Sequence, residues 1–226
     1  MQLNWLAILG ALYALFGLIS PAFASKGDYG HYIGFRFIGS FAQVDDTAGQ
    51  NFSGSLKVNN KKDVVAGNAF IFGYRWKSLP IRSDIEIAYR YRFDHDLRDT
   101  GDPFHGYENN LATLSGLINL IYEYRNSSRI TPYIGSGIGW AQNHANVRLS
   151  DLSNGGEENF EERTENFAWA VHLGITWRFD DRWDTNLGYR FINLGELESG
   201  KSNTGNSFTA DNYFSHDALW TVNYRF

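Results

Sequence analysis

Between Ile85 and Phe93 every second residue, Ile85, Ile87, Tyr89, Tyr91 and Phe93, is apolar or aromatic, and Glu86, Ala88, Arg90 and Arg92 between them are small or charged. That period of two marks a β-strand with one apolar face. The pattern recurs, and strands are expected near residues 29–41, 66–77, 83–94, 109–124, 132–144, 166–179, 183–194 and 213–226. The chain reads as all-β. It offers no amphipathic helix to cover the apolar faces, which leaves two arrangements. Either two sheets pack with those faces inward, or one sheet closes into a barrel that turns them outward to lipid.

The connections discriminate between the two. Long links at 42–65, 95–108, 145–165 and 195–212 alternate with short ones at 78–82, 125–131 and 180–182. Successive links of an antiparallel barrel lie at opposite ends, so all the long ones fall on one side and all the tight turns on the other. A sandwich has no reason to keep that rhythm. The expected fold is an eight-stranded antiparallel transmembrane β-barrel with short periplasmic turns and four long extracellular loops, both termini lying on the periplasmic side. Composition agrees: aromatic residues make up 16% of a chain that carries a net charge of -5. There is no basic excess to hold nucleic acid, and the absence of cysteine excludes disulfides and thiolate metal sites.

Residues 5–19 form an apolar run of secretory-leader length, followed by Ser20, Pro21 and the small-x-small triplet Ala22-Phe23-Ala24. Cleavage after Ala24 is expected, which makes 1–24 a signal peptide and 25–226 the barrel domain. The preceding MQLN carries no Lys or Arg, a departure from the usual leader.

Every second strand ends in aromatic, charged, aromatic: Tyr74-Arg75-Trp76, Tyr122-Glu123-Tyr124, Trp177-Arg178-Phe179 and Tyr224-Arg225-Phe226. The rings are expected to form an aromatic girdle at the periplasmic interface, with the charges turned into the lumen. Together with PYIGSGIGW at 132–140, LGYRF at 187–191 and the terminal Phe226, these features resemble the small eight-stranded outer-membrane barrels of the opacity-protein and OmpA-like superfamily, the "porin family". The resemblance implies a Gram-negative outer membrane, contact with its lipid and lipopolysaccharide, and a monomer that meets host-surface or matrix ligands through its loops. It also implies that Trp220, Tyr224 and Phe226 are read by the barrel assembly machinery. It supplies no activity.

An eight-stranded barrel is just wide enough inside for side chains to fill it. Parity turns Arg36, Arg75, Asp84, Glu86, Arg90, Arg92, Glu123, His172, Arg178, Asp184, Arg190, Asp217 and Arg225 inward. Both signs are present, and buried charges are costly unless paired, so an ion-pair network plugging the lumen is expected. Arg178 should oppose Asp184 across the 180–182 turn, and Arg75 should approach Asp84 across the 78–82 turn. Gly135, Gly137 and Gly139 share a face and are read as room for long arginines, since a phosphate cradle needs a glycine loop leading into a helix. No cofactor is expected. Asp84, Glu86 and His172 are read as structural. Asp94, His95, Asp96, Asp211, His216 and Asp217 lie toward the external rim, where Ser215 and His216, as strand neighbours, point to opposite faces. The function that emerges is a non-catalytic surface protein, structural or adhesive. The alternatives are a narrow small-solute channel and a lipid A-modifying or proteolytic enzyme. The stretch 151–165 is strongly acidic, with Asp151, Glu157, Glu158, Glu161, Glu162 and Glu165 against Arg163.

Overall fold

The computed structural model describes residues 29–50, 56–58, 62–99, 105–151, 157–201 and 207–226; the expected leader lies outside them. The described elements are β1 (Gly30–Gln50), β2 (Leu56–Val58), β3 (Lys62–Arg75), β4 (Ile81–Asp99), β5 (His105–Glu123), β6 (Ile130–Asp151), β7 (Glu157–Arg178), β8 (Trp183–Lys201) and β9 (Ser207–Arg225). Eight long strands follow one another around the sheet, with each neighbouring pair antiparallel. Pairing of β1 with β9 closes the barrel, beginning at Tyr32 opposite Arg225. The short β2 lies outside this ring, paired to the far end of β4.

The barrel has a charged core and an apolar surface. Arg36, Arg82, Arg90, Arg190 and Glu86 are among the largest fully buried side chains, whereas Phe70, Ile138 and Phe167 are 69%, 60% and 66% exposed. A water-soluble sandwich would show the reverse, so the second of the two arrangements holds. Period-two alternation in the sequence was therefore reporting a lipid-facing side and a lumen-facing side.

The tight turns fall at 76–80, 124–129 and 179–182, close to their expected places. The long links differ from expectation. Most of 42–65, 95–108, 145–165 and 195–212 is strand: β6 and β7 pair without interruption from Ile130 opposite Trp177 to Ser150 opposite Glu157. The reason is physical. Alternation is demanded only where lipid wets one face and the packed lumen the other; beyond lipid both faces can be polar, and the pattern fades while the backbone ladder continues. Strands of 22 residues, β6 and β7, are about twice the 9–11 needed to cross a bilayer. The excess forms a polar crown.

Candidate functional site

Two layers of charge fill the lumen. In the layer nearer the crown, Glu86 on β4 lies between Arg36 of β1 and Arg190 of β8, the latter at 2.6 Å. Asp217 on β9 takes Arg90 and Arg190, both at 2.8 Å, and accepts hydrogen bonds from Ser40 at 2.6 Å and Ser215 at 2.7 Å. Arg36 also donates to Thr221, and Arg90 to Ser115. Nearer the turns, Glu123 meets Arg75 at 2.8 Å and Arg82 and Arg125 at 3.5 Å, while Asp184 meets Arg225 at 3.3 Å and Arg75 at 3.8 Å. Arg190–Glu86, Arg90–Asp217 and Arg75–Asp184 join strands that are not neighbours in the sheet and so tie distant parts of the wall together, while Arg190–Asp217 and Arg225–Asp184 join adjacent strands.

One expected pair is corrected. Register puts Asp84 opposite Gly73 and Arg75 opposite Arg82, so Arg75 reaches Glu123 and Asp184 in place of Asp84. Asp84 accepts from the Tyr32 hydroxyl at 2.7 Å and from Asn119 at 2.8 Å. Arg178 does lie opposite Asp184 in the ladder, and Arg225 opposite Tyr32. The side chain of Arg92 lies outside the described residues, and a register shift in β4 between Arg90 and Phe93 falls beside it. His172 is buried edge-on to Tyr133, its ring lying against Gly135, where a side chain would collide with it. Gly135 and Gly137 therefore make room for His172 and Asn119, and Gly139 for the backbone of Gly116, none of them for an arginine.

Sequence reasoning missed Arg82, which lies in step with Asp84 and Glu86 one place before the strand boundary drawn at 83. It also missed the neutral partners Tyr32, Ser40, Asn119 and Ser215. Continuing the parity count one place past the strand end would have found Arg82, and applying it to polar as well as charged residues within the strands would have found the other four.

Above the charge layers the lumen is closed by apolar and amide groups. Leu194 and Leu197 of β8 are buried within a cluster that includes Leu111, Ala141, Ala168 and Tyr213. β8 turns inward at Gly195, whose φ of 82° is left-handed. Asn143 donates to the carbonyls of Leu194 and Glu196 at 2.9 and 3.1 Å, which pins the bend. Charge, amide and leucine layers thus follow one another along the described part of the lumen.

The crown is split along two seams. Among the described residues the β7–β8 ladder ends at Trp169 opposite Asn193, and the β3–β4 ladder at Gly67 opposite Arg90, although the strands continue beyond. Unpaired strand edges are not tolerated in hydrocarbon, so the lipid boundary lies at or below these points. Exposed Phe41, Trp140 and Phe167 lie near this level. At the other end the outward rings of Trp76, Tyr122, Tyr124, Trp177, Phe179 and Phe226 are exposed, and Tyr74 and Tyr224 are half-buried. Tyr74–Trp76 and Tyr224–Phe226 make edge contacts at 5.2 and 5.5 Å.

Among the described side chains Ser215 and His216 do not form a pair. Ser215 faces the lumen and bonds Asp217, whereas His216 faces outward, with its Nδ1 2.6 Å from the Tyr189 hydroxyl. The side chains of Asp94, His95, Asp96 and Asp211 lie outside the described residues. Among the described residues no group of three or more His, Asp or Glu could hold a metal.

The sequence model of the outer membrane protein beta-barrel domain family matches residues 10–226. The outer membrane protein PagN of Salmonella typhimurium is 25% identical over 174 residues, spanning 74% of this chain and 71% of PagN. In fold the chain is similar to the outer membrane protein OprG of Pseudomonas aeruginosa, at a TM-score of 0.55 and 14% identity over 90% of this chain and 99% of OprG. It is similar also to the outer membrane protein AlkL, at a TM-score of 0.56 and 17% identity over 92% and 95% of the two chains.

Proposed function

Because the chain belongs to the outer membrane protein beta-barrel domain family, and so to the Gram-negative outer membrane, we propose that it is a non-catalytic surface protein whose crown engages host-cell or matrix ligands. The observation that carries this reading is the division of the molecule. A barrel with a plugged lumen offers no route for solute, and its ladders run on past the apolar belt into a polar structure far larger than anchoring requires. The crown then faces the exterior, and the tight turns and both ends of the barrel domain face the periplasm. Replacing 145–165 by a tight turn is expected to abolish binding of expressing cells to epithelial cells or matrix, while the barrel still shifts its electrophoretic mobility on boiling. Undiminished binding by the trimmed protein would overturn the adhesive reading.

Trp220, Tyr224 and Phe226 act in the same proposal as the signal for insertion by the assembly machinery, and lipopolysaccharide packs around the outward rings. Phe226 contributes little to the finished wall: its amide bonds the His31 carbonyl at 3.1 Å, and among the described residues its ring makes an edge contact with Tyr224. Deleting it is expected to deplete the protein from outer-membrane fractions while leaving the urea midpoint of barrel refolded in vitro nearly unchanged. Equal membrane levels with and without Phe226 would defeat the assembly role.

A further inference from the structure

The two seams of the crown are not alike. At the β3–β4 seam the chain supplies its own covering strand, since Leu56–Val58 pairs with Leu97–Asp99 on the β4 edge left free by β3. At the β7–β8 seam no such strand lies among the described residues. β8 leaves β7 at Asn193, bends inward at Gly195 and is held there through its main chain by Asn143 from β6. Asn166 makes the bridge across the seam: its side chain donates to the Glu196 carbonyl at 2.8 Å and accepts from the Glu196 amide at 3.0 Å. A side chain thus stands where a backbone ladder would otherwise form. Beyond it β7 is open on both faces, for Glu161, Glu162 and Arg163 are all exposed.

Negative charge collects along this seam. Exposed Glu162 and Glu165 flank the β7 edge on its two opposite faces and exposed Glu196 and Glu198 lie on β8, with Arg163 the only cation among the side chains described in those two stretches. His144 engages Glu161 at 3.1 Å on the outer face and leaves those four carboxylates to the cleft. A free strand edge offers unpaired amides and carbonyls to an incoming chain. Here that edge is flanked on both sides by negative charge.

We propose that the β7–β8 cleft captures an extended, lysine- or arginine-rich peptide segment by strand addition. The segment's main chain continues the sheet from the β7 edge, as β2 does from β4, and its cationic side chains neutralise Glu162, Glu165, Glu196 and Glu198. This deepens the adhesive reading, on which it rests for the outward placement of the crown, by naming the class of ligand.

The test uses the whole barrel refolded in lipid nanodiscs and a fluorescent peptide of Lys-Lys-Thr-Thr repeats, whose lysines fall on both faces of an added strand, followed by anisotropy. Saturable binding is expected. It should weaken at least about tenfold for a peptide of the same charge in which Pro replaces each Thr, because proline removes the backbone donors. It should weaken similarly in the E162Q/E165Q/E196Q/E198Q variant, whose changes are all on exposed side chains and leave the barrel folded. Cross-linking through Thr164→Cys, in a protein with no other cysteine, should capture the Lys-Thr peptide and spare the Lys-Pro one. Equal affinity for the two peptides would reduce the cleft to a charged surface and overturn strand addition, as would the absence of saturable binding. If the peptide binds but cells carrying crown-trimmed protein still adhere, the adhesive reading falls and the cleft stands. If it does not bind while trimming abolishes adhesion, the cleft falls and the adhesive reading stands.

Discussion

Replacing Asp217 by Ala is expected to lower the unfolding free energy of the barrel by about 3–5 kcal/mol, the usual consequence of removing one partner from a buried ion pair. Asp217 is fully buried and accepts from two arginines and two serines. Its removal does not strand the two arginines equally. Arg190 keeps Glu86 at 2.6 Å, but Arg90 is left with only the Ser115 hydroxyl, at 3.3 Å. The cost therefore concentrates on one uncompensated guanidinium in the lumen.

That asymmetry gives the prediction its sharper form. The double variant D217A/R90M, which removes the orphaned cation and keeps most of its volume, should regain most of the loss. D217A/R190M should not, because it also takes a partner from Glu86 and leaves Arg90 uncompensated. Equilibrium urea unfolding in phospholipid vesicles, followed by tryptophan fluorescence, measures all three, with R90M and R190M alone, against the parent as two double-mutant cycles. A loss below about 1 kcal/mol for D217A, or equal rescue by the two second changes, would mean that water or rearranged neighbours hold these charges and that the network is not structural.

How much of this was legible in the sequence depends on distance from lipid. Inside the belt, where lipid enforces alternation, strand order, closure and tight turns follow from period two, and the same parity puts Arg36, Glu86, Arg90 and Arg190 on one face. Parity cannot say which of them meet. Turn arithmetic considers only the adjacent hairpin strand, whereas an arginine reaches across the lumen: Arg75 to β5 and β8, Arg90 to β9. Above the belt the signal is lost, because Glu158, Glu161, Glu162 and Glu165 read as a solvated loop even though β7 continues through them. The seams are least legible. They depend on where ladders stop, and Gly195 fell in the expected 195–212 link, where a glycine does not announce a bend in a strand.

The assignment of the outer face to lipid carries the second large effect. Leu173 on β7 is 54% exposed and pairs in register with Ile134 on β6 and Tyr189 on β8, midway between the ring of Trp177 and the belt edge at Phe167. On a water-exposed sheet, Leu173→Arg would change stability by a few tenths of a kcal/mol, as surface substitutions usually do. At the midplane of a bilayer an outward arginine costs about 2–4 kcal/mol, falling to about 0–1 near the interfaces. The same substitution at Asn159, an exposed position of β7 in the crown, should therefore be nearly neutral, and the contrast between the two is internally controlled. Measured by the same unfolding experiment, comparable small effects at both positions would place Leu173 in water and return the chain to the sandwich. A large cost at Leu173 alone fixes the hydrocarbon to the part of the wall below the seams, where every strand edge is paired.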